Sequence, residues 1–79
     1  MARILTLERA TFDRRSLHDP VASCLYDFYD VDGRRLLQIN TYGRAGRQKP
    51  EKSSQVLQLD EDGARRLQAV LAEAFPRLT

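Results

Sequence analysis

Apolar and polar positions alternate along most of this chain, and the period changes near residue 60. Residues 2–12, ARILTLERATF, carry Ile4, Leu5, Leu7, Ala10 and Phe12 and predict a first strand. The charged stretch DRRSLHDP, closed by Pro20, reads as a connection. VASCLYDFYDV, residues 21–31, is rich in β-branched and aromatic residues and predicts a second strand. Strand alternation puts Cys24, Tyr26 and Phe28 on one face and Leu25, Asp27, Tyr29 and Val31 on the other. The acid on the second face makes the first the expected buried one. Asp32-Gly33 predicts a two-residue type I′ hairpin, which needs positive φ at both central residues. RRLLQINTYG, residues 34–43, is the third strand, with Leu37, Ile39 and Thr41 on one face and Leu36, Gln38, Asn40 and Tyr42 on the other. GRAGRQKPEKS is a loop with two glycines and a proline, and SQVLQL is the fourth strand.

The period then becomes helical. Asp60 is a good N-cap, and Glu61 and Asp62 occupy the first turn, where the helix dipole favours anions. Gly63 is a weak spot, costing about 1 kcal/mol relative to Ala. Ala64, Leu67, Val70, Leu71, Ala74 and Phe75 recur as one apolar stripe, Arg65, Arg66, Gln68 and Glu73 face out, and Pro76 stops the helix. The predicted class is α+β: a curved four-stranded antiparallel sheet followed by one C-terminal helix, in the order β-β-β-β-α. It forms one domain over 1–79, with an N-terminal strand and loop (1–20), a three-stranded meander (21–59) and the helix (60–75).

Size sharpens this picture. A folded chain of 79 residues buries only about 60–65% of the surface its unfolded form exposes, so a lone core is marginal. Cys24 is the only cysteine, which excludes an internal disulfide and a Cys-rich zinc site. It reads as a small core residue in a reducing cytoplasm. Self-association is the remaining support, and the helix stripe, through Leu67, Val70, Leu71 and Phe75, can serve a core, a homodimer or both. MARILTLERA has no apolar run of signal-peptide length and nothing approaches a membrane span, so a soluble cytoplasmic protein is expected.

Charge is unevenly placed. Residues 1–38 balance six arginines against six acids; 39–59 hold Arg44, Arg47, Lys49 and Lys52 against Glu51; 60–79 hold three arginines against four acids. The positive excess of the whole chain therefore sits on the third hairpin, which points to an anionic partner. Enzyme chemistry finds little support. His18, the single histidine, lies in a charged loop with Asp19, and a nucleophile needs a base and an orienting group converging on it. Asp27, Asp30 and Asp32 do not make a metal cluster, since Asp32 belongs to a turn and Asp27 and Asp30 alternate in face. GRAG lacks the spacing of a phosphate loop. No cofactor is expected. The cations of the third hairpin, with Asn40 and Tyr42 before them and Arg35 near the other end of that strand, suit a strand of nucleic acid. Cations track phosphates and aromatics stack on unpaired bases.

The order and several motifs resemble the transcriptional coactivators of the positive-cofactor-four type and their bacterial and phage relatives. The likeness spans roughly residues 21–75. It lies in YDVDGR, in a strand ending INTY, in the Lys-Pro loop GRQKPEKS, and in a strand that runs into a helix as LQLDEDGARRL. The resemblance implies a homodimer formed through the C-terminal helix and neighbouring sheet, binding single-stranded or unpaired DNA with little sequence preference. It marks Arg35, Tyr42, Lys49 and Lys52 as contacts. Gly43 stands where that family places a tryptophan, and Val31-Asp32 where an aromatic precedes the turn glycine. The expected partner is single-stranded DNA or RNA. The other reading is an accessory domain whose sheet edge or helix stripe docks a larger nucleic-acid-processing protein.

Overall fold

The apolar–polar alternations of residues 21–29 and 35–44 form the two longest strands of the sheet. The computed structural model describes residues 1–44 and 54–78, Arg44 by its backbone only. Its elements are β1 (Ala2–Arg3), β2 (Val21–Tyr29), β3 (Arg35–Arg44), β4 (Gln55–Leu59) and α1 (Glu61–Ala74). The sheet order is β1-β4-β3-β2. β2 and β3 pair antiparallel, with Tyr26 opposite Gln38 and Cys24 opposite Asn40, and β3 pairs antiparallel with β4, Gln38 opposite Gln58.

The sheet is mixed, which corrects the expected antiparallel one. The N-terminal strand shrinks to Ala2 and Arg3 and runs parallel to β4, opposite Leu57 and Gln58. Ile4 adds one bond, its N–H to the Gln58 carbonyl at 2.9 Å. The chain then leaves the sheet for the helix. Arg66 Nε donates to the Leu7 carbonyl at 2.9 Å, and Arg9 pairs with Glu73 at 3.5 Å. The stretch is thus tied to the helix through the Leu7 carbonyl and Arg9 instead of forming the expected pleat, and Leu5 and Ala10 stay exposed.

The β2–β3 turn also differs from the sequence reading. Tyr29 pairs with Arg35, Asp30 N–H bonds the Arg34 carbonyl at 2.8 Å, and Gly33 N–H bonds the Asp30 carbonyl at 3.0 Å. Gly33 has φ +84°, and no non-glycine residue among those described has positive φ, so the turn is not type I′. It is a three-residue loop with glycine in the left-handed position. The Asp30 carboxylate completes it, accepting from the N–H groups of Asp32 (2.9 Å) and Arg34 (2.8 Å).

The helix starts as its sequence directs. The Asp60 side chain accepts from Gly63 N–H at 2.9 Å and also pairs with Arg3 at 3.5 Å. Gly63, a weak spot by propensity, is buried, and a Cβ there would lie 3.1 Å from Leu59 Cδ2 and 3.8 Å from the Ile4 carbonyl oxygen. Glycine lets the first turn sit directly on Leu59. Beyond that turn the stripe is only half covered. Ala64, Leu67, Val70 and Leu71 are half-buried, whereas Ala74 and Phe75 are exposed. No described helix is long and apolar enough to cross a membrane.

Little is buried. Among the described residues the core is Leu36 and Leu59, at 6% and 2% exposure. Cys24 is exposed, against the expectation of a core thiol, and Tyr26 is nearly half-exposed, so the Cys24–Tyr26–Phe28 face is not a closed core. The chain exposes 7386 Å², where a folded monomer of 9.1 kDa ordinarily exposes about 4,900 Å².

With so small a core, Leu59 should matter more than any surface residue. Leu59→Ala is expected to cost about 2–5 kcal/mol and to lower the melting temperature by about 10 °C or more. A circular-dichroism melt checks this, and a shift under about 3 °C would contradict it.

Candidate nucleic-acid interface

The strand register sorts side chains onto two unlike faces. Cys24, Tyr26 and Phe28 of β2, Leu36, Gln38, Asn40 and Tyr42 of β3, and Val56 and Gln58 of β4 share one. Leu25, Leu37, Ile39, Leu57 and Leu59 share the other, with Asp27, Tyr29 and Arg35. The helix begins on this apolar face, where Leu37, Leu59 and Ala64 line a groove of about 330 Å³ with Asp27 and Arg35 at its rim. The first face carries the polar groups, and at one end of it Leu36, one of the two buried residues, lines the same groove.

Those polar groups form a continuous chain across three strands. Gln58 Nε2 donates to Gln38 Oε1 at 2.8 Å, Gln38 Nε2 to Asn40 Oδ1 at 2.9 Å, and Asn40 Nδ2 to Tyr42 Oη at 3.2 Å. The Tyr42 and Tyr26 hydroxyls then meet at 3.0 Å. Each amide uses one hydrogen inside the chain and keeps a second for a ligand. Mutual bonding holds the two phenols side by side, beside Cys24. The Tyr26 phenol is pushed up to about 12 by its hydrogen bond with Tyr42 and next by its contact with Cys24. Both stabilise the neutral hydroxyl.

The strip leads to the root of the basic loop. Gly43 has φ +71°, and the β2–β3 register shifts between Val21 and Ser23, so β3 carries one extra residue there. The backbone at Gly43 is one that a residue with a side chain adopts only under strain. On the β4 side, Ser54 N–H bonds the Thr41 carbonyl at 2.6 Å, and the Thr41 and Ser54 hydroxyls meet at 2.9 Å. These bonds fix both stems of the connection.

The expected contacts fall into three groups. Asn40 and Tyr42 lie together in the strip. Arg35 lies on the opposite face, paired with Asp27 and stacked 4.7 Å from the Tyr29 ring centroid, so its charge is already engaged. Arg44 ends β3 at the root of the loop, and Arg47, Lys49 and Lys52 lie outside the described residues. Of the helix residues, Leu67, Val70 and Leu71 are half-buried and Phe75 is 60% exposed. Gln38 and Gln58 were not among the expected contacts. The alternation put Gln38 and Tyr26 on strand faces, but only the register shows that these faces are one and that Gln58 extends it.

Comparison with protein-family models, with curated proteins and with solved structures finds no match.

The phenol pair makes a pH prediction. Because the folded pKa of Tyr26 lies above the ordinary 10, its contribution to stability is complete below pH 10 and is lost as pH rises towards about 12. Ultraviolet titration of phenolate should show one tyrosine ionising near pH 12, and Tyr42→Phe should return it towards 10. Identical titrations of the two proteins would contradict the pairing.

Proposed function

We propose that this chain is a single-stranded nucleic-acid-binding module that works as a homodimer, with little sequence preference. The observation that carries this reading is the Gln58–Gln38–Asn40–Tyr42–Tyr26 strip, which ends at the root of the loop holding the chain's positive excess. The loop cations Arg44, Arg47, Lys49 and Lys52 hold phosphates, and the two phenols offer rings for stacking, worth about 1–3 kcal/mol per base. The spare amide hydrogens meet base or phosphate oxygens. Sequence preference is weak because most of the affinity comes from charge and stacking. The resemblance to the positive-cofactor-four type supports the same function, in transcription or in DNA replication and repair. Nothing in this reading calls on a catalytic residue, a cofactor or a metal.

The homodimer rests on the small chain and its scant core of Leu36 and Leu59. The open β2 edge and the apolar sheet face beside it are the surfaces left for a partner. That same face favours a second reading, an accessory domain docked on a larger nucleic-acid-processing protein. It predicts partner capture that survives neutralisation of the loop cations.

A fluorescence-anisotropy titration with oligo-dT, single- and double-stranded and at two salt concentrations, tests the function. Tight binding to the single strand that weakens with salt is expected. Absence of binding at low salt, or binding indifferent to salt, overturns it. Tyr42→Ala should weaken binding by about 5- to 150-fold, and charge reversal at Arg44 and Arg47 should weaken it equally for all sequences. Sedimentation at tens of micromolar should give twice the 9.1 kDa chain mass, and a monomer would contradict the dimer.

A further inference from the structure

β2 is an open edge. It lies at one end of the sheet and, among the described residues, pairs only with β3. It is nine residues long, has no proline or lysine, and carries one charge, Asp27. Leu25 is 64% exposed and Tyr29 68%. Natural proteins usually blunt such an edge by shortness, charge or covering. The opposite edge is blunted in this way: β1 has two residues, and Arg3 pairs with Asp60 before the chain departs.

The direction of the free groups follows from the turn. Asp30 N–H bonds the Arg34 carbonyl, so in the same ladder the backbone groups of Cys24, Tyr26 and Phe28 face β3. Those of Ser23, Leu25 and Asp27 therefore point outward, unpaired.

We propose that this edge pairs antiparallel with the same edge of a second copy, about a two-fold axis at Leu25. The proposal rests on the homodimer reading and specifies its contact. Leu25 is the midpoint of Val21–Tyr29, so this register overlaps the whole strand. The outward groups of Ser23, Leu25 and Asp27 then all find partners. Leu25 faces the partner's Leu25, Ser23 the partner's Asp27, Cys24 the partner's Tyr26, and Val21 the partner's Tyr29. No charge meets a like charge, whereas centring on Asp27 would oppose two carboxylates. A two-fold axis relating antiparallel edge strands stands perpendicular to the sheet, so like faces join. The polar strips of the two copies then adjoin across six strands of the joined sheet. Both apolar faces, with both helices, come to the other side.

Disulfide trapping tests the register. Paired residues exchanging both backbone bonds have Cα atoms about 5.5 Å apart, inside the disulfide range of about 4.4–6.8 Å. In a Cys24→Ser background, Leu25→Cys should oxidise to a covalent dimer. Ile39→Cys, beside Leu25 on the apolar face, should not. In the unaltered chain, the Leu25 and Asp27 amides should exchange on the order of tenfold more slowly at dimer-forming concentration than on dilution. A dimer by sedimentation in which these amides stay unprotected, or in which Ile39→Cys links in place of Leu25→Cys, overturns the edge and leaves the homodimer standing. A monomer overturns both.

Discussion

The structure depends on a shortage of buried apolar surface. Leu36 and Leu59 are its closed core, and the helix meets the sheet through one turn, where buried Gly63 lies on Leu59. A 79-residue chain that spends its apolar residues this way leaves a sheet and a helix that are only partly covered.

The polar face is organised by hydrogen bonds more than by burial. Gln38, Asn40 and Gln58 are half-buried, and each amide is oriented by the next. Such a chain holds its end groups in fixed positions without a packed core beneath them, which suits a surface meant to stay accessible. The bulge at Gly43 and the Thr41–Ser54 bonds then set the basic connection beside Tyr42. Charge and aromatic surface are thus joined by a few residues of β3. Other charges have structural employment. Asp30 builds the turn, Asp27 and Arg35 hold each other, and Asp60 caps the helix.

The sequence made the central strands and the helix legible because each is governed locally. Alternation marks β2, β3 and β4, and Asp60 with its acidic first turn marks the start of α1. The parallel pairing of Ala2–Arg3 is a long-range event with two residues to signal it, and the ties of Leu7 and Arg9 to the helix are long-range too. Asp32-Gly33 allows a type I′ turn, but the Asp30 carboxylate selects the longer loop. The polar strip was half visible: Asn40 and Tyr42 share a face by alternation, whereas joining them to Tyr26 and Gln58 requires the register. Arg35 was named from its place after the turn, and the register puts it on the face opposite Asn40 and Tyr42. The exposure of Cys24 could not be read locally, because burial in so small a chain depends on what covers the sheet.

The central claim is that a single strand lies on the face holding the strip and not on the apolar face. Heteronuclear NMR of the chain titrated with oligo-dT tests this most directly. The account predicts shifts in the side-chain amides of Gln38, Asn40 and Gln58 and in the rings of Tyr26 and Tyr42, with the methyl signals of Leu37, Ile39 and Leu57 unmoved. Shifts confined to those methyl groups, or none in the strip at saturating oligonucleotide, would contradict it.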